Sequence, residues 1–319
     1  MIGHLLSFLS FSFLLFTGCT KESFTIAMSY VPAMNAFPLR PADSEIGSVD
    51  AAFWIAKTEV TYELWTTVYN WATVDGQYTF ANPGIQGDGF GDSAQHPVTT
   101  INWRDAMVWC NAFTEFSNDQ KGTSLKCVYY VDSIYSTPIR SVDDIETIAS
   151  DPGEQDNPYV KGDAKGYRLP TSNEWELAAR FIADNNDDGD IMDSGEYYPG
   201  NHVSGDAASY CFPSDSGTSP YFGFYAWYAG NSQGTTHMVG TAGIPVPVGP
   251  CTGNSNALGL YDMSGNVWEW CFSSPSYPGR RIHGGAWSYD ANDLQLGFPD
   301  AAYPYQEYDV LGFRPVKTD

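Results

Sequence analysis

The chain has 319 residues, 43% hydrophobic and 15% aromatic, which is enough to bury a large core in one domain or at most two and excludes a disordered chain. Acidic residues outnumber basic ones 38 to 15, and a formal charge of -23 repels phosphate backbones and anionic headgroups, so no nucleic-acid partner is expected. Abundant Gly, Tyr and Trp with few Lys points to a loop-rich fold carrying rigid aromatic surfaces.

Residues 1–18 are almost wholly apolar and end at Leu15-Phe16-Thr17-Gly18-Cys19, a run too short and too early for a membrane span and read as an export signal. Its end resembles a bacterial lipobox, in which cleavage before a cysteine is followed by acylation. Phe16 stands where leucine is usual and His4 is the only basic residue near the start, but the small Thr17-Gly18 pair favours lipidation at Cys19 over simple secretion. Acyl chains contribute about 0.8 kcal/mol per buried methylene, so membrane contact is expected through this anchor alone, with residues 19–50 as anchor and tether. Cys110, Cys127, Cys211, Cys251 and Cys271 remain, an odd number whose pairing the sequence does not fix.

A strand is predicted over Phe53–Val60, followed by a helix capped by Thr61, with Glu63 in its first turn and Leu64, Trp65, Val68, Tyr69 and Trp71 at helical spacing. Residues 73–96 read as a long loop. A second helix starts near Asn102 and buries a stripe of Ala106, Met107, Trp109, Cys110 and Phe113, ending near Asn118. After a strand and an irregular insertion over 127–165, Leu169-Pro170 closes an extended segment, and Thr171 with Glu174 forms a capping box for a third helix with Trp175, Leu177, Ala178 and Phe181 on its core face. The next loop places Asp184, Asn186 and Asp188 before Gly189 as in the first half of a calcium-binding EF-hand loop, while Glu196 falls one position late; calcium and a merely solvated acidic loop both fit.

Residues 259–271, GLYDMSGNVWEWC, read as strand, turn at Ser264-Gly265, strand. Trp268 and Trp270 then share one face, and Glu269 points to the other, where it needs a partner. A hard cation held by turn carbonyls and Glu269 is one answer; a hydrogen-bonded or solvated carboxylate is the other.

GYRLPTSNEWELAAR at 166–180, GLYDMSGNVWEWC at 259–271, and HGGAW at 283–287 followed by GFRPV at 312–316 together resemble the formylglycine-generating enzyme, or sulfatase-modifying factor, family. KTEVT at 57–61 and HPVTTINWRDAMVWC at 96–110 are weaker echoes. The resemblance implies an α+β, C-type lectin-like fold, loop-rich with few regular strands, over 51–319. It also implies structural Ca2+ on the carbonyls of Ser264, Gly265 and Val267 and the carboxylate of Glu269. Family members that oxidise a sulfatase cysteine hold copper on two cysteines whose places here are Tyr289 and Leu294, and no cysteine follows Cys271, so neither copper nor the oxidase chemistry is expected. The related iron-dependent sulfoxide synthases need a histidine cluster; His4, His96, His202, His237 and His283 are scattered, and no iron is expected.

Between Gly285 and Gly312 the chain carries Tyr289, Asp290, Asp293, Phe298, Asp300, Tyr303, Tyr305, Tyr308 and Asp309 with no helical or strand period, interrupted by Pro299 and Pro304. Tyrosines beside carboxylates suit a recognition surface, because tyrosine offers contact area at little rotamer entropy. Nearly every residue of the tract belongs to the set that codons ending in a pyrimidine encode, Gln295, Gln306 and Glu307 being the main exceptions. In a lipobox protein of this fold, that bias resembles the variable proteins of diversity-generating retroelements, the variable lipoproteins of Treponema among them. The expectation is a monomeric, non-catalytic lipoprotein of the bacterial cell envelope, at the outer-membrane surface, binding a protein or glycan through a tract at about 283–310. An exported modifying enzyme or an envelope scaffold protein are the alternatives.

Overall fold

The computed structural model describes residues 25–90, 93–211, 218–244, 247, 249–274 and 278–318; the signal and Cys19 lie outside them. Much of the stretch expected as a tether is instead part of the fold. β1 (Met28–Val31), β2 (Met34–Leu39) and β3 (Glu45–Val49) precede β4 (Phe53–Ala56). The cause is apolar burial: Val31, Met34, Phe37, Leu39 and Val49 lie in the core. An irregularity in register between Met34 and Phe37 breaks the alternation that would have announced a strand. β4 stops at Ala56, short of Val60, whose amide turns to the Phe313 carbonyl at 2.9 Å.

All three expected helices form. α1 (Tyr62–Val74) is capped by the Thr61 hydroxyl, which accepts from the Leu64 amide at 3.2 Å. β5 (Ile85–Gln86) and β6 (Val98–Thr99) pair across the long loop. α2 (Trp103–Lys121) opens on a capping box between Asn102 and Asp105 and stops at Gly122, whose φ of +65° is the left-handed turn that glycine makes without strain. It buries every residue from Trp103 to Thr114, not one stripe, because the 127–165 insertion covers its outer face. That insertion supplies β7 (Tyr129–Tyr130) and β8 (Tyr159–Val160), and Asn111 donates to the carbonyls of Tyr129 and Ile139 at 2.8 and 3.1 Å. β9 (Tyr167–Arg168) leads into α3 (Ser172–Arg180), where the Thr171–Glu174 box is present; Phe181, expected on the helix face, is the extended C-cap residue.

The C-terminal region contributes β10 (Trp268–Trp270), β11 (Arg280–His283), β12 (Asp300–Ala302), β13 (Leu311–Gly312) and β14 (Val316–Thr318). One sheet has the order β1-β4-β14-β9 and joins the two ends of the domain; the other has the order β12-β11-β10-β13, with β10 parallel to β13. The segment before the Ser264-Gly265 turn is irregular, where a strand was expected; a hydrogen bond from the Tyr261 amide to the Lys57 carbonyl at 2.8 Å holds it beside β4. Trp268 and Trp270 share one face as expected and join the core around Trp65, Trp103, Trp109 and Phe313. Among the described residues no helix is long and apolar enough to cross a membrane.

Candidate ligand-binding site

The site stands on a buried ionic hub. Glu269 and Arg314 are both fully buried and paired through two contacts, Nε to Oε2 at 2.7 Å and Nη2 to Oε1 at 2.6 Å. The Trp175 indole donates to the same carboxylate at 2.7 Å. Arg314 also donates to the carbonyls of Ala56 and Lys57, each at 3.2 Å, and of Tyr261 at 2.8 Å. One guanidinium thus ties β4, the segment before the turn, β10 and the approach to β14 together. The positive charge facing Glu269 is that of Arg314, and both carboxylate oxygens are engaged by protein donors.

The adjoining turn is close-packed. Gly265 has φ +83°, and a Cβ there would overlap the backbone of Trp227. Ser264, Gly265 and Val267 are buried, and the Gly265 amide donates to the Gly284 carbonyl at 2.7 Å. Two further acids lie beside the hub. Burial raises Glu59 well above the usual carboxylate range, with Asp262 adding to the effect, and burial pushes Asp262 up to about 6.

The acidic loop at 184–196 closes on its own amides. Asp184 accepts from Asp188 at 3.2 Å and Gly189 at 3.1 Å, Asn186 donates to Asp188 at 2.9 Å, and the buried Glu196 accepts from Asn185 at 2.8 Å and Asp193 at 3.3 Å. Among the described residues no group of three or more His, Cys, Asp or Glu side chains is arranged to hold a metal ion. Each of the four described histidines has its own packing or hydrogen-bond partner: His96 with Thr236, His202 with Tyr210, His237 on Trp227 and His283 on Trp175.

The tract leaves β11 through Gly284 and Gly285, at φ +99° and +74°, and returns along both edges of the second sheet as β12 and β13. Its main chain is fastened to residues outside it. Ala229 donates to the Tyr289 carbonyl at 3.0 Å, Trp103 to Pro304 at 3.2 Å, Thr100 to Tyr308 at 3.0 Å and Trp268 to Val310 at 2.8 Å, while the Trp287 amide donates to Asn266 at 2.9 Å. These anchors are backbone to backbone and do not use the tract's exposed side chains.

The tract alternates between core and surface, with Ala291, Leu294 and Leu296 buried. Tyr289, Asp290, Asp300, Tyr303, Tyr308 and Asp309 are exposed, and Asp293 and Tyr305 half-buried. Phe298, read as a recognition residue, is half-buried and packs on the core. Tyr303 and Tyr305 stack with rings 5.4 Å apart and 3° from parallel, and Tyr289 stands edge-on to Trp268 at 5.5 Å. The Tyr289 hydroxyl is raised by burial and then by the charges of Asp300 and Asp293.

A wall beside these tyrosines escaped the sequence reading. Arg104, fully buried on α2, grips Asp156 with Nε at 2.8 Å and Nη2 at 2.7 Å, and donates to the carbonyls of Asp143 and Ile145 at 2.9 Å and Thr147 at 3.0 Å. The same guanidinium lies 5.9 Å from the Tyr305 ring centroid. The 143–147 segment is thereby fixed against the tract, and Asp144, Glu146, Tyr305, Gln306, Glu307 and Tyr308 line a solvent-open cavity of about 370 Å³. An arginine one position into a helix was the only signal, and it does not say which loop it holds.

A profile of the sulfatase-modifying factor enzyme 1-like domain matches residues 35–319. The chain belongs to this family. The matched span includes all of β2 but Met34, and all of β3, in keeping with their place in the fold. Among its relatives, the chaperone protein LppX of Paenibacillus barcinonensis is 29% identical over 275 residues, covering 82% of this chain and 77% of that protein. Among solved structures, Treponema denticola variable protein 1 superposes with a TM-score of 0.64 at 23% identity, over 95% of this chain and 100% of that one. CarF gives 0.64 at 22% over 92% and 99%, and PvdO from Pseudomonas aeruginosa 0.52 at 17% over 94% and 100%. At such identities the likeness shows the fold, which is α+β, C-type lectin-like and loop-rich.

Proposed function

We propose that the protein is a non-catalytic, lipid-anchored binding protein of the bacterial cell envelope that presents a diversified ligand site on residues 283–310. The observation that carries this reading is the division of labour in the tract: its main chain is fastened by backbone hydrogen bonds to residues outside it, while Tyr289, Asp300, Tyr303 and Tyr308 face solvent. Such a segment tolerates replacement of its exposed side chains without loss of its path. The names of two similar proteins, a variable protein and a chaperone, support binding over catalysis. Tyr289 and Leu294 occupy the copper-cysteine places of the oxidising members, and neither offers a thiolate.

The test is a displayed library in which codons 289, 290, 293, 300, 303, 305, 308 and 309 are randomised and the rest of the chain is fixed. Most clones are expected to remain folded, and selection against an unrelated protein such as lysozyme should yield binders. A library of mostly misfolded clones overturns the proposal. Formation of formylglycine or a sulfoxide by the purified protein supplied with copper or iron would establish the enzymatic alternative.

A further inference from the structure

We infer that the cavity between the 143–147 wall and the tract takes a cationic group, a lysine or arginine side chain on a segment of a partner protein; this rests on the tract being the binding site. Asp144, Glu146 and Glu307 line the cavity with Tyr305, Gln306 and Tyr308. Among the described residues no ion pair engages these three carboxylates; the nearby base, Arg104, is buried and committed to Asp156 and to the carbonyls of Asp143, Ile145 and Thr147. The cavity therefore faces solvent with unneutralised negative charge over a wall whose backbone is fixed.

The aromatic component is equally specific in kind. Tyr308, on the cavity lining, is 47% exposed and offers a ring to a guanidinium or ammonium, while the lining Tyr305 is backed by the stacked Tyr303. Carboxylates and tyrosine faces together recognise a cation by charge-assisted hydrogen bonds and by the ring quadrupole. The same negative field, within a chain of charge -23, steers a basic partner toward this face. The cavity of about 370 Å³ has room for a long basic side chain.

The probe is a fluorescently labelled octapeptide of alternating lysine and serine, with a glutamate-serine counterpart, titrated by anisotropy against the full-length protein in detergent at physiological salt. A chain this acidic attracts any polycation, so the decision lies in paired variants. D144N/E146Q/E307Q and Y305A/Y308A are each expected to weaken lysine-peptide binding about tenfold. The control D187N/D188N/D190N, which removes as much charge from the distant acidic loop, should stay within about twofold. Equal losses in the cavity and control variants, binding of the glutamate peptide as tight as that of the lysine peptide, or no measurable binding of the lysine peptide would each overturn the inference. The randomised-library result is independent of all three, so failure here leaves the binding role of the tract standing or falling on its own test.

Discussion

Removing Arg314 should damage this domain more than neutralising its partner, and the asymmetry follows from what surrounds the pair. In Arg314→Met the Glu269 carboxylate stays fully buried with Glu59 and Asp262 beside it and no cation among them, and the carbonyls of Ala56, Lys57 and Tyr261 lose a donor. Breaking a buried pair in this way costs about 4 kcal/mol. In Glu269→Gln the guanidinium keeps its three carbonyls, and Asp262 and Glu59 are near enough to supply negative charge. The loss should then be roughly half as large. The double variant should cost less than the sum of the singles, since the second change no longer strands a charge. Equilibrium urea unfolding followed by tryptophan fluorescence measures all three. The Arg314→Met deficit should also shrink as pH falls from 7 to 5, because the stranded carboxyls take up protons in the folded state before they do in the unfolded chain. Equal losses in the two single variants, or strict additivity in the double, would refute the reasoning.

Further outcomes are expected elsewhere. Burial, with the charges of Arg281, Arg40 and Arg180, holds His283 down to about 3, far below an unfolded histidine, so its contribution is present above about pH 6.5 and is lost as pH falls toward 3. The slope is about 1.4 kcal/mol per pH unit, and the difference between wild type and His283→Gln in unfolding measured from pH 7 to pH 5 should shrink by about 2 kcal/mol; a constant difference contradicts it. Gly265→Ala should lower stability by more than about 3 kcal/mol, because the new methyl overlaps Trp227 at a positive φ, whereas Gly122→Ala, with open space around its Cα, should cost only about 1 kcal/mol. Replacing Tyr303 and Tyr308 with alanine should change the unfolding free energy by less than about 1 kcal/mol while removing ligand binding, since both side chains are exposed. Arg104→Met should expose the 143–147 segment to limited proteolysis before the rest of the chain opens.

Features legible in the sequence were those encoded locally. Thr171 and Glu174 are three apart and form their capping box within one turn, and the period of two in WEW was enough to send Trp268 and Trp270 one way and Glu269 the other. The need of Glu269 for a partner was also readable, but the identity of that partner was not, because Arg314 lies 45 positions away and the pairing is made only by the fold. Likewise Arg104 meets Asp156 across 52 positions. The β2–β3 pair escaped notice because the irregularity between Met34 and Phe37 disrupts the alternation that marks a half-buried strand. The tract could be recognised by composition, yet only the structure separates Phe298, which packs on the core, from the tyrosines that face out, and only the structure brings Asp144 and Glu146 to them.

The most direct test of the central claim is to sequence this gene from many sister clones together with the DNA immediately downstream. The expected result is substitution clustered in codons 283–310, sparing Gly284, Gly285, Gly312 and Arg314, and matched to adenines in a nearby template repeat. Identical sequences in every clone, with no such repeat, would contradict a diversified binding site.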